Sequence, residues 1–71
     1  MSKLAVIVPC LNEEDNIITT LTWLSSVLEE LPFSSEIIVI DDLSSDKTYE
    51  YASSYKNETN VEVKVLRKEL D

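Results

Sequence analysis

An α/β fold on a parallel sheet of three strands, spatial order 3-2-1 with crossover helices, is predicted by three features of the chain. Two short apolar runs have no polar alternation, a helix-period segment separates them, and an alternating run lies near the end. Unbroken apolar strands suit burial on both faces, so the expected arrangement is a three-layer αβα sandwich.

The first run is Leu4-Ala5-Val6-Ile7-Val8, which Pro9 is expected to close because proline has no N–H to give a ladder. Asn12-Glu13-Glu14-Asp15 then reads as a helix start. Asn12 can cap free N–H groups, and three carboxylates stand where the helix dipole favours negative charge. Ile17, Leu21, Leu24, Leu28 and Leu31 follow at steps of four and three, giving one apolar helical face that ends at Pro32. Ile37-Ile38-Val39-Ile40 is the second strand, and it runs into Asp41-Asp42-Leu43-Ser44-Ser45-Asp46. Ser45 or Asp46 can cap a second helix with Tyr49, Ala52 and Tyr55 or Lys56 near one face. Asn57 and Asn60 bracket a turn. Val61, Val63 and Val65 then alternate with Glu62 and Lys64, as expected of a strand with one wet face or at an edge. The strand order leaves the first strand, apolar throughout, with an unpaired outer side. Such an edge invites another strand, from the same protein or from a second copy.

Composition narrows the function. The chain has 71 residues, enough for a single partial domain spanning 1–71, and a net charge of −8 with no basic patch. Nucleic acid and anionic membranes are poor partners for it. No apolar run approaches the roughly 18 residues a bilayer span needs. The lone Cys10 has no internal disulfide partner, fits a reducing compartment, and points to a cytoplasmic location. It reads as a packed thiol, since no histidine exists to activate it. Asn57-Glu58-Thr59 matches a glycosylation acceptor, a coincidence of pattern in a cytoplasmic chain. Glycine is absent, which rules out the P-loop and the dinucleotide fingerprint, both of which need it for close backbone approach to phosphate.

The loops after parallel strands gather at one rim, where open α/β sheets bind ligands. Here that rim carries the loop from Pro9 to Glu14 and the loop from Asp41 to Asp46. Its acids repel phosphate but can accept hydrogen bonds from a base N–H or ribose hydroxyls. A diphosphate would need a divalent cation, because Lys47 is the sole basic residue in these loops. Adjacent carboxylates such as Asp41 and Asp42 repel unless an environment or a ligand favours them. Lys64, Arg67 and Lys68 read as a solvated strand end.

The segments Val6-Ile7-Val8-Pro9-Cys10-Leu11-Asn12-Glu13-Glu14-Asp15-Asn16-Ile17 and Ile38-Val39-Ile40-Asp41-Asp42-Leu43-Ser44-Ser45-Asp46-Lys47-Thr48 closely resemble family 2 glycosyltransferases. In that family a strand is followed by P-x-Y-N-E, and a second strand by D-D-G-S-x-D-x-T. The flavour is similar to polyprenyl-phosphate glycosyltransferases of the dolichol-phosphate mannosyltransferase type. The resemblance implies the N-terminal part of a GT-A (Rossmann-like) nucleotide-binding domain that takes a UDP- or GDP-linked sugar. It implies that Pro9, Leu11 and Glu13 line the nucleotide site, that Asp42 contacts the base, and that Asp41 supports the loop. It also implies Mg or Mn bound at a later D-x-D motif and a still later catalytic base, so no catalytic or metal residue is expected within this chain. Two residues depart from the pattern. Leu11 replaces the aromatic that would stack on the base. Leu43 stands where the family has glycine, and a positive φ there would cost roughly 1–2 kcal/mol.

Two other classes compete. A receiver-like signalling domain expects acids directly after the first strand and an aspartate ending the third, where this chain has Pro9-Cys10-Leu11 and Leu66-Arg67-Lys68. A sugar nucleotidyltransferase expects a glycine-rich loop after the first strand. The remaining reading is a non-catalytic remnant that assembles through its exposed strand.

Overall fold

A computed structural model describes residues 3–68. The order is β1 (Lys3–Cys10), α1 (Ile17–Glu29), β2 (Ser34–Asp41), α2 (Thr48–Ser54) and β3 (Glu62–Arg67). The strands form one parallel sheet in the order β1-β2-β3, with Cys10 opposite Asp41 and Asp41 opposite Arg67. The predicted 3-2-1 order is therefore present, with β2 in the centre.

The core lies on one face of this sheet. Along β2, Ser35, Ile37, Val39 and Asp41 are buried while Glu36, Ile38 and Ile40 are only half-buried. Ile17, Leu21 and Leu28 from α1, with Ala52 from α2, close over Ile37 and Val39. Val6 and Val8 from β1 and Val63 and Val65 from β3 pack against this cluster. The two crossovers step across the sheet in the same direction. Right-handed connections then place both helices on the same side, and α1 and α2 do pack on each other. The described residues thus supply two of the three expected layers. Ile7 is 52% exposed, so β1 is bare on a face where coverage was expected, while Leu66, 56% exposed, lies on the wet face expected of β3. Residue parity sets Ala5, Ile7 and Pro9 on that bare face beside Ile38, Ile40 and Leu66. Toward its other end the face becomes charged: Glu36 lies 3.6 Å from Lys3 and 3.4 Å from Lys64, which also meets Glu62 at 3.5 Å.

Three local expectations change. Helix α1 begins at Ile17 rather than just after Asn12, and no acid lies in its first turn. Residues 14–16 form a separate turn in which the Asn16 and Ile17 N–H groups donate to the Glu13 carbonyl at 2.9 and 2.8 Å. Asn12 caps nothing, because it sits at φ 53° with its backbone turned away from a helical path. Pro9 does not close β1, which continues to Cys10. The Cys10 carbonyl accepts from the Asp42 N–H at 2.9 Å, so Cys10 faces β2 and its neighbour Pro9 faces the open edge. A missing donor is tolerated there, since no described strand needs it.

Ser25 is buried in α1 in place of a larger apolar residue, with Leu24 half-buried beside it. The Ser25 hydroxyl donates to the Leu21 carbonyl at 2.8 Å and lies 3.3 Å from the Tyr55 hydroxyl. A small polar side chain with its bond satisfied inside its own helix lets Tyr55 close on α1 without leaving an unpaired group.

Candidate functional site

The turn after β1 and the turn after β2 are tied together at the carboxyl end of the sheet. The Asn12 N–H donates to Ser44 Oγ at 2.9 Å, the Glu13 N–H to Thr48 Oγ1 at 2.7 Å, and the Glu14 N–H to Asp46 Oδ2 at 3.2 Å. In return the Ser45 N–H donates to Asn12 Oδ1 at 2.9 Å. These are the N–H groups that a helix start at Asn12 would leave free. They find acceptors in the other turn instead, which is why the helix starts later.

The resemblance-derived residues divide into two sets. Leu11, Glu13 and Asp42 are exposed and stand on the two braced turns at one end of the sheet, with exposed Pro9 just behind them on β1. Asp41 is fully buried and points to the helix face. Its Oδ1 accepts from the Ser44 hydroxyl, and its Oδ2 accepts from the Ser44 N–H at 3.2 Å and faces Arg67 Nε at 3.3 Å. With both oxygens engaged, Asp41 holds the turn shut from beneath.

Arg67 and Lys68 are exposed, as expected of a solvated strand end, but each also pairs with an acid of the rim. The Arg67 guanidinium pairs with Asp41, donates to the Ser44 carbonyl at 3.1 Å, and lies over the Tyr49 ring with 4.9 Å to the centroid. Lys68 Nζ lies 3.3 Å from Asp42 Oδ1. Lys47 is therefore not the only cation at the rim. The repulsion between Asp41 and Asp42 is relieved from within the chain, by Arg67 at the end of β3 and Lys68 just after it. Nothing in the local sequence signals this. It follows from the parallel register, which sets Asp41 beside Arg67.

Leu43 takes φ 57°, the left-handed conformation that the glycine of the family pattern would adopt freely. The bonds from Ser44 to Asp41 and from Asn12 to Ser44 hold it there. Asp46 fastens the start of α2: its Oδ1 accepts from both the N–H (2.9 Å) and the hydroxyl of Thr48. Burial works to raise the Asp46 pKa, but the hydrogen bonds from Thr48 and Glu14 outweigh it and hold the carboxyl below its ordinary 3.8. The Cys10 thiol is pushed up, first by burial and then by the charges of Asp41, Glu13 and Asp46. A thiol held protonated is a packing group, not a nucleophile.

No set of three or more candidate metal ligands comes together among the described residues. Asp41 and Asp46 spend their oxygens within the turns and Asp42 faces Lys68, so these three do not fit a divalent cation. A cavity of about 690 Å³ lies elsewhere, between α1 and the segment after α2, lined by Thr22, Ser25, Ser26, Tyr55, Asn57 and Thr59 among others. The rim is an open ledge.

Fold and rim together define a Rossmann-like α/β unit whose acid-bearing turns meet at the carboxyl ends of its strands. The chain belongs to glycosyl transferase family 2, whose family model matches residues 5–70. It is 36% identical over 67 residues to the poly(ribitol-phosphate) beta-N-acetylglucosaminyltransferase TarS of Staphylococcus aureus strain Mu50, and equally to that of strain MW2. Each alignment covers 93% of this chain and 11% of the relative, so the chain spans about a ninth of the length of these proteins. No solved structure matches it. No helix among the described residues is long and apolar enough to cross a membrane.

Two outcomes are expected at this site. Leu43→Gly relieves the left-handed leucine but adds chain entropy to the unfolded state, for a net gain of up to about 1 kcal/mol in urea unfolding. Leu43→Val, β-branched at the same φ, loses at least about 1 kcal/mol. The lowered Asp46 pKa means that its stabilisation is present above pH 3.8 and is lost as pH falls through the folded-state value. The stability gap between wild type and Asp46→Asn should therefore be widest near neutrality and close in acid below pH 3.8, as read from urea midpoints across that range.

Proposed function

We propose that residues 1–71 are the nucleotide-sugar-binding portion of a glycosyltransferase, one part of a longer domain that moves a sugar from a nucleoside diphosphate to an acceptor. The observation that carries this reading is the bracing of two turns that leaves Glu13 and Asp42 exposed above a sheet edge while Asp41 is locked below. A carboxylate there accepts hydrogen bonds from a base N–H or from ribose hydroxyls, which suits the nucleoside end of a donor and not its phosphates. Asp42 contacts the base, Glu13 the ribose or base, and Leu11 and Pro9 give apolar cover. Leu11, 52% exposed, offers less area than the family's aromatic, so affinity for the isolated nucleoside is modest. A divalent cation, Mg or Mn, and the catalytic base belong to other parts of the protein. The motif flavour favours a polyprenyl-phosphate acceptor, whereas the similar S. aureus proteins are named for poly(ribitol-phosphate); either would be a phosphate-bearing acceptor. The absence of a disulfide partner for Cys10 favours a cytoplasmic site of action.

Titration of UDP and GDP into the chain, followed by amide shifts, tests this. The expected response is saturable and concentrated at residues 11–14 and 42–46. Trp23, 63% exposed on α1, should report little. Asp42→Ala should weaken binding by about 10- to 100-fold, the range for losing a hydrogen bond to a charged group. Full affinity in that variant sinks the assignment.

A second reading, self-association, is favoured by the open edge of β1 and the bare apolar face beside it. It would pair β1 with β1 of another copy. Sedimentation at rising concentration should then show a dimer that Ile7→Lys abolishes, and a clean monomer at every concentration would exclude it.

A further inference from the structure

β2 ends in an acid and β3 in a base, and each is followed by a residue of the same sign: Asp41-Asp42 and Arg67-Lys68. Asp41 is opposite Arg67, and the ladder runs one step further, with the Lys68 N–H donating to the Asp41 carbonyl at 2.9 Å. Side chains alternate between faces along a strand. The inner pair, Asp41 with Arg67, falls on the helix side, and the outer pair, Asp42 with Lys68, on the rim.

The two pairs differ in kind. The inner one joins a fully buried carboxylate to a guanidinium that has two further contacts, Ser44 and Tyr49. Breaking it would leave a charge buried without a partner, so it is permanent. The outer pair is a single contact of 3.3 Å between side chains that are 63% and 53% exposed. An exposed, one-point lysine pair is weak and readily exchanged. Yet it occupies Oδ1 of the carboxylate assigned above to base recognition.

On that nucleotide-binding reading, we propose that Lys68 is a specificity-determining residue, a resident counter-ion on Asp42 that the ligand's base N–H displaces and that then meets the anionic end of the same ligand. Its backbone stays fixed by the Asp41 carbonyl while the flexible four-carbon stem reorients. Arg67 cannot do this, because its guanidinium already holds Asp41 and Ser44. A nucleoside without phosphates displaces Lys68 and gains nothing in return. A nucleoside diphosphate recovers the cation.

The test compares uridine with UDP, and guanosine with GDP, in metal-free buffer, on the full chain carrying Lys68→Met, Lys68→Arg or Asp42→Asn. Lys68→Met should bind the nucleoside about two- to fivefold more tightly and the diphosphate more weakly, shifting the ratio of their dissociation constants by about four- to tenfold. Lys68→Arg, which keeps the charge, should restore the wild-type ratio. A general loss of structure would move both affinities together and leave the ratio alone, so an unchanged ratio in Lys68→Met overturns the inference. If Asp42→Asn weakens nucleoside binding while that ratio stays fixed, only the role of Lys68 falls. If Asp42→Asn has no effect, or the wild type shows no saturable binding, the nucleotide site itself falls and takes the inference with it.

Discussion

A carboxylate without any exposure, set at the end of a strand, is the constraint on which the rim depends. Asp41 would be intolerable there unpaired, since a buried charge is stable only when partnered and hydrogen-bonded. Its partners come from two directions: Ser44 from its own turn and Arg67 from β3. The first fixes the turn's path, including the left-handed Leu43, and the second fixes the turn against the sheet. The β1 turn then has a defined surface to bind, and Asn12, Glu13 and Glu14 bring their N–H groups to Ser44, Thr48 and Asp46. The order of dependence runs from β3 through Asp41 to both turns, so the third strand organises turns that follow the other two.

Much of the architecture was legible in the sequence because it rests on local pattern. The apolar runs at 4–8 and 37–40 lie inside β1 and β2, Ile17, Leu21 and Leu28 of the four-and-three spacing are in the buried stripe of α1 with Ser25 buried and Leu24 half-buried, and the alternating valines lie within or just before β3. What failed was of another kind. Asn12-Glu13-Glu14-Asp15 has every local property of a helix start, yet its N–H groups go to side chains more than thirty residues away. Local capping was available and tertiary capping won. The coverage of β1 was misjudged for a related reason: an unbroken apolar run says that a strand has two apolar faces, not that both are covered within these residues.

The candidate site was legible in its parts and not in its wiring. The loops carrying Glu13 and Asp42 could be placed at one rim from the parallel topology alone. The separate fates of Asp41 and Asp42 could not be derived from the residues, because neighbours in sequence point to opposite faces and only register decides which basic residue each one meets. The same holds for glycine. Its absence excluded phosphate-cradling loops, but the chain still needs positive φ at two rim positions, and it uses Asn12 and Leu43. Asparagine tolerates that geometry well and leucine poorly. The strained residue therefore sits immediately beside the carboxylate assigned to recognition.

Pro9 has a further consequence for how the sheet can grow. Its ring occupies the place of an amide hydrogen on the outward side of β1, one residue before the strand ends. A strand laid against that margin can zip along the hydrogen-bonding groups of Ala5 and Ile7, then meets a carbonyl with no matching donor and must part from the sheet. The proline thus acts as a stop at the ledge, keeping any added strand from running over Leu11 and leaving the mouth between the two turns open to solvent.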